Sequence, residues 1–171
     1  QTDYHPHAVL LDCTASSAVG RRHREWVDRG IHVVTPNKLG CAGPLEEYRA
    51  LRRQARESQK HYLCETTVGA GLPILQTLED IRETGDEILS VEGILSGTLA
   101  YLFNSYDETR PFSEIVREAH ERGFTEPDPR EDLSGMDVAR KLVILGREMG
   151  LDLEVDGIDV EGLVPEGATD G

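Results

Sequence analysis

Lysine is almost missing from this chain. Of 18 basic residues in 171, only Lys38, Lys60 and Lys141 are lysines, and the rest are arginines. Arginine keeps its charge at any working pH, whereas a lysine gives up a proton when its surroundings disfavour the ammonium, so each lysine that is kept draws attention. Cysteine is as scarce. Cys13, Cys41 and Cys64 are odd in number and far apart, with no C-x-x-C pair and no histidine at metal-ligand spacing. That argues against a disulfide framework or a zinc site and for reduced thiols in a cytoplasmic protein. Long apolar runs are missing too: Ala8–Leu11 and Leu142–Leu145 are far too short to cross a bilayer. The start, with Gln1, Thr2, Asp3 and His5, does not read as a signal peptide. Positive charge is in deficit, with 32 acidic residues and a net charge of -14. Nucleic acid and anionic membranes are therefore excluded as expected partners, since both repel such a surface.

What is present alternates between strand and helix as far as Cys64. Ala8–Asp12 (AVLLD) is an apolar run closed by a polar residue, as in a buried parallel strand. Ser16–Arg29 predicts a helix stopped by Gly30, and Ile31–Thr35 a second strand ended by Pro36. Pro44–Ser58 predicts a helix with the apolar stripe Leu45, Tyr48, Leu51 and Ala55, and His61–Cys64 a third strand. This order predicts a parallel sheet with right-handed crossovers. A complete Rossmann domain opens with a strand and a G-x-G-x-x-G turn, and no such turn precedes Ala8. The expected fold class is therefore α/β, the second half of a Rossmann-type sheet followed by an α+β domain.

From Glu65 the pattern changes. Helices are predicted over Pro73–Thr84, Thr98–Tyr106, Glu114–Arg122 (with Ser113 as N-cap) and Ser134–Met149. Strands are predicted over Glu87–Leu95 and Val160–Val164, and Thr125–Asp132 reads as a proline-stiffened turn. The domain division expected is 1–64 for the partial dinucleotide-binding part and 65–171 for the rest.

Four clusters carry candidate chemistry. Asp12–Ser16 sits at the carboxyl end of a predicted strand, where open α/β sheets bind ligands, though Ser16 or Ser17 equally suits a helix cap. Thr35–Lys38 follows the next strand and would send Lys38 into the crevice, unless Lys38 is simply a solvated loop residue. Glu65–Pro73 joins a carboxylate to a glycine-rich turn. Such a turn offers carbonyls to a hard cation, offers N–H groups at a helix start, or serves as a tight linker. Gly123–Pro129 precedes Asp132, Asp137 and Lys141. Asp137 and Lys141 are spaced i, i+4 beside the expected apolar stripe of Val138, Leu142, Leu145 and Met149, either as a surface ion pair or as part of a site with Glu126.

Taken together these stretches resemble homoserine dehydrogenase. The matching segments are VVTPNK (Val33–Lys38), TVGAGLPI (Thr67–Ile74), TGDEI…EGILSGTLAYLFN (Thr84–Asn104) and GFTEPDPREDLSGMDVARKLVILGRE (Gly123–Glu148), and the likeness runs from Ala8 to about Pro165. RGIHVVTPNK and DLSGMDVARK also resemble the bifunctional aspartokinase–homoserine dehydrogenases. The resemblance implies reversible NAD(P)-dependent interconversion of L-homoserine and L-aspartate 4-semialdehyde, in threonine, methionine and isoleucine biosynthesis, by a homodimer or higher oligomer. It makes Lys141 the lysine that exchanges a proton with the substrate oxygen, and Lys38 a second active-site lysine near cofactor and substrate. Glu126 and Asp137 bind the substrate's amino end, Gly97 and Thr98 lie beside the substrate, and Asp132 is a supporting carboxylate. Thr14 lies near the nicotinamide, and Glu65 with the carbonyls of Val68, Ala70 and Leu72 forms a monovalent-cation site, usually for sodium.

Two family segments have no counterpart here: the N-terminal glycine-rich strand–turn–helix and the C-terminal return to the cofactor domain. The isolated chain is therefore expected to bind NADP weakly and turn over little, and NAD-versus-NADP preference stays open. The alternative is a non-catalytic dimerisation or regulatory module of the same descent. Retention of Lys38, Glu126, Asp137 and Lys141 weighs against it.

Overall fold

A computed structural model describes residues 7–164. Three short strands, β1 (Ala8–Leu11), β2 (Ile31–Val34) and β3 (Tyr62–Leu63), form a parallel sheet in that order. Ala8 pairs with Ile31 and Leu11 with Val34, while Val33 pairs with Tyr62. Parallel neighbours need a crossover. Helices α1 (Ser17–Gly20) and α2 (His23–Asp28) make the first, and α3 (Leu39–Ala42) and α4 (Leu45–Glu57) the second. The helix expected over Ser16–Arg29 is thus two, broken at Arg21–Arg22 just after Gly20, a poor helix former. Gly20 lies so close to α3 that an added Cβ would stand 3.0 Å from the Leu39 Cβ and 3.2 Å from the Asn37 side chain.

After β3 come α5 (Ile74–Glu83), α6 (Gly97–Ser105), α7 (Phe112–Glu121), α8 (Pro129–Leu133) and α9 (Met136–Glu148). Helix α4 buries Leu51 and Ala55 from its predicted stripe. Helix α7 starts two residues earlier than expected, with Pro111 rather than Ser113 at its N-cap. On α9 the buried side chains are Ala139, Val143, Ile144 and Leu145, whereas Leu142 is 39% exposed, so the expected stripe is rotated. The rotation has a cause in Arg147, which is buried in register with Val143. Its guanidinium donates to the carbonyls of Cys41, Gly43 and Leu153 and meets Glu154 at 3.1 Å. A buried arginine is tolerated where its whole donor fork is used.

Two expected strands are not strands. Glu87–Leu95 belongs to no strand ladder, and Leu89 and Ile94 are 87% and 78% exposed. Alternating apolar residues supply only one half of a strand; the other half is a ladder of backbone hydrogen bonds, and the sheet of the described residues consists of β1, β2 and β3 alone. Val160–Val164 is irregular as well, tied to the helical region by Leu163 N–H donating to the Leu133 carbonyl at 2.9 Å. Strand β1, expected to be buried, leaves Val9 and Leu11 60% and 68% exposed, because these alternate residues stand on one uncovered face of the sheet.

The chain divides into two compact units. The first takes the described residues to Leu89 and Arg140–Ile158; its buried side chains include Val27, Val33, Leu51, Val68, Leu75, Val143 and Ile144. The second takes Ser90–Ala139 and the described residues from Asp159, around a cluster of Leu102, Ile115 and Ala119 flanked by Leu99, Tyr101, Phe112, Val116 and Leu133.

Candidate active site

In the first unit the candidate residues sit at the carboxyl edge of the sheet. The ladder ends where Asp12 N–H donates to the Val34 carbonyl and Thr35 N–H to the Leu63 carbonyl. Asp12 is buried, and its carboxylate gathers four donors. Oδ1 accepts from the Thr14 N–H at 2.9 Å and the Thr14 hydroxyl at 2.7 Å. Oδ2 lies 2.8 Å from Nε2 of His23 and accepts from the Asn37 amide at 3.0 Å. Burial alone would raise the Asp12 pKa, but the hydrogen bonds from Thr14, His23 and Asn37 outweigh it and hold it at about 2. His23 has no exposure, and burial pushes its pKa down against the pull of Asp12, so the ring is neutral. Its Nδ1 lies 2.9 Å from the Tyr62 hydroxyl. With Asp12 ionised, the consistent tautomer has Nε2–H donating to Asp12 and Nδ1 accepting from Tyr62.

Ser16 caps α1, accepting from Val19 N–H at 3.4 Å, so that reading of the first cluster holds alongside the exposed Thr14. Lys38 is half-buried in the turn entering α3, directly after Asn37, whose side chain also donates to the Ser16 carbonyl and accepts from Leu39 N–H. Lys141 belongs to the same unit and is half-buried on α9, one turn after the half-buried Asp137.

Glu65 opens a 3-10 turn, and its two oxygens accept from the backbone N–H groups of Leu75 and Gln76, at 2.8 and 2.9 Å. The carboxylate caps α5 across the glycine turn, where the helix N-terminus favours an anion. The Leu72 carbonyl accepts from Ile74 N–H, and Ala70 has a positive φ of 50°. Two of the four groups expected to hold a cation are thus already hydrogen-bonded.

In the second unit Asp132, on α8, is the organising group. Its Oδ2 accepts from the Glu126 N–H at 2.8 Å, and its Oδ1 lies 3.0 Å from the Thr98 hydroxyl, which also reaches the Phe124 carbonyl. Thr98 follows Gly97 in the first turn of α6, which Ser96 caps. One carboxylate therefore brings together Gly97, Thr98 and Glu126, whose own side chain is exposed. Asp128 caps α8 and grips Arg130 at 2.9 Å, stiffening the same turn.

Sequence reasoning did not single out His23 and Tyr62. Their signals were present: a histidine one turn before buried Val27 on a helix, and a tyrosine inside a short parallel strand, where a buried hydroxyl requires a partner.

A parallel sheet whose strand ends carry Thr14 and Lys38 has the α/β architecture of the dinucleotide-binding class of folds. The sequence matches two family models, homoserine dehydrogenase over residues 73–170 and the homoserine dehydrogenase NAD-binding domain over 3–65. The chain belongs to the homoserine dehydrogenase family. It is 57% identical over 161 residues to a chloroplastic bifunctional aspartokinase/homoserine dehydrogenase of Zea mays, covering 94% of this chain and 18% of that protein. The homoserine dehydrogenase of Thermoplasma acidophilum superposes with a TM-score of 0.74 at 27% identity, over 94% of this chain and 50% of that one. A hyperthermophilic archaeal homoserine dehydrogenase in complex with NADPH gives 0.74 at 26% identity, over 82% and 43%. The chain therefore spans about a fifth of the bifunctional relative it matches.

Proposed function

We propose that the polypeptide carrying this chain interconverts L-homoserine and L-aspartate 4-semialdehyde with NAD or NADP. The observation that carries the reading is the second-unit triad, in which Asp132 ties Thr98 to the backbone of Glu126. The resemblance to the family implies that these three serve the substrate, and the shared carboxylate gives them one geometry. The nicotinamide, when bound, accepts the hydride from the hydroxyl-bearing carbon. Thr14 and Lys38 are the residues here suited to hold it. Thr14 already gives its hydroxyl proton to Asp12, which leaves its oxygen as an acceptor for a carboxamide N–H.

As the hydride leaves homoserine, the hydroxyl proton must leave too, and Lys141 takes it; in the reverse direction Lys141 returns it to the carbonyl oxygen. Glu126 and Asp137 offer carboxylates to the substrate ammonium. Lys141→Arg in the full-length enzyme keeps the charge and removes the exchangeable proton. We expect kcat to fall by roughly a hundredfold or more, in the range of general acid–base contributions. Near-normal turnover would refute the role of Lys141.

Finer features follow from the same reading. The sheet belongs to a cofactor domain, here 1–64, and residues 65–171 form the substrate domain. The exposed apolar Val9 and Leu11 share one face of the sheet, a surface that a packed helix of such a domain would cover. The exposed apolar side chains of Leu89 and Ile94 suit a homodimer contact. Glu65, Val68, Ala70 and Leu72 are the residues for a sodium ion, in competition with the capping role of Glu65. Free thiols at Cys13, Cys41 and Cys64 suit a reducing compartment such as cytoplasm; the Zea mays relative is chloroplastic. The pathway expected is threonine, methionine and isoleucine synthesis.

A further inference from the structure

We propose that Asp12 is the positioning residue that locks the cofactor-side loops of the site to one another, with His23 and Tyr62 behind it fixing the direction of its carboxylate. The proposal rests on the reading of Thr14 and Lys38 as cofactor-side residues and deepens it.

A parallel sheet holds its strands by backbone ladders, but the loops past the last rung are held only by what their side chains do. Here the last rungs are Asp12 to Val34 and Thr35 to Leu63. Beyond them, Asp12 Oδ1 fixes Thr14 through both its N–H and its hydroxyl. Oδ2 fixes Asn37 in the neighbouring loop. Asn37 forks from Asp12 to the Ser16 carbonyl and caps Leu39 N–H with its own oxygen, so the Lys38 backbone lies between two pinned amides. The Asp12 carbonyl also accepts from the Thr35 hydroxyl at 2.8 Å, and that hydroxyl accepts from Asn37 N–H. One residue thus sets the spacing between Thr14 and Lys38.

The arrangement admits one placement of protons. Thr14 N–H, Thr14 O–H, the Asn37 amide and His23 Nε2–H are four donors, and only an ionised carboxylate accepts four. His23 must then offer Nδ1 as an acceptor, and the Tyr62 hydroxyl fills it. Gly40 on α3 is required by that hydroxyl, because a Cβ at this position would collide with it. An amide in place of the Asp12 carboxylate turns an NH2 toward either Thr14 or the His23–Asn37 pair, so donors face donors on one side or the other.

The test is Asp12→Asn in the full-length polypeptide. We expect the KM and the directly measured Kd for the nicotinamide dinucleotide to rise by on the order of tenfold or more, with kcat reduced. The KM for homoserine stays within about twofold. Tyr62→Phe moves the same constants in the same direction by less. A folded Asp12→Asn protein whose cofactor Kd and kcat stay within about twofold of the unaltered enzyme overturns the proposal, since a purely structural role would move only the unfolding midpoint. If Asp12→Asn does not fold, ¹⁵N spectra of the unaltered protein decide. At neutral pH the His23 imidazole must carry its single proton at Nε2, and an Nδ1–H tautomer overturns the proposal. Failure of the unaltered enzyme to oxidise homoserine would sink the proposed function instead. The dinucleotide Kd and the His23 tautomer need no turnover and read out Asp12 separately.

Discussion

A neutral histidine 2.8 Å from an ionised aspartate makes stability depend on pH in two windows. His23 is held below its ordinary pKa of 6.5 by burial. Once the pH falls below 6.5, the unfolded chain binds a proton that the folded chain refuses, so stability decreases on acidification. Asp12 is depressed from 3.8 to about 2, so its contribution, roughly 2 kcal/mol, is complete above 3.8 and disappears as the pH falls toward 2. His32 is also held down, by partial burial first and then by Lys60, His61 and His7, and adds to the upper window. We expect urea midpoints to drop as the pH is lowered below about 6.5, with a slope of up to about 1.4 kcal/mol per pH unit from buried His23 and a smaller, solvent-screened share from His32. In His23→Gln, which keeps a donor toward Asp12, the slope should lessen while the His32 share persists. Equal slopes in the two proteins would show that His23 is not the group refusing the proton.

At the scale of elements, helices α4, α5, α6 and α9 and the three strands were legible because each carries its own local signal: an apolar period, a stopping glycine or a proline. What the sequence hid was non-local. Glu87–Leu95 has a strand's alternation but no ladder, and the α9 stripe turned because buried Arg147 finds its partners more than a hundred residues earlier, at Cys41 and Gly43. Glu65 is the sharpest case. Beside a glycine turn it reads equally as a cation ligand or a helix cap, and only the folded chain shows its oxygens on Leu75 and Gln76. Glu65→Gln removes the charge at the α5 N-terminus and turns an N–H toward another N–H. We expect a loss of about 1–2 kcal/mol by urea unfolding. Repeating the measurement in sodium and in choline separates the two roles. A sodium-specific gain in the unaltered protein that vanishes in Glu65→Gln establishes the ion, and equal midpoints in both salts leave the cap alone.

At the scale of the molecule, the candidate residues are shared between the two units, with Thr14, Lys38, Glu65 and Lys141 in the first and Gly97, Thr98, Glu126, Asp132 and Asp137 in the second. Their presence was legible because chemistry-bearing residues cluster in short motifs. Their fixings were not: Asp12 to His23, His23 to Tyr62 and Asp132 to Thr98 join residues of different elements, and no motif spacing says which buried polar group meets which. The same division bears on cofactor affinity. A dinucleotide is held in Rossmann-type domains chiefly by its pyrophosphate, which lies on N–H groups of a glycine-rich turn at a helix N-terminus, and these 171 residues contain no G-x-G-x-x-G segment. The residues proposed for the cofactor on the sheet edge, Thr14 and Lys38, would address only the nicotinamide end, and a net charge of -14 repels the phosphates. Calorimetric titration of this chain with NADPH should therefore give an affinity weaker than micromolar, short of about 8 kcal/mol of binding free energy. A polypeptide in which a glycine-rich pyrophosphate turn is joined to this chain should bind more tightly by the contribution of that turn. Micromolar binding by the 171-residue chain itself would mean that the sheet edge around Asp12 holds more of the cofactor than the nicotinamide alone.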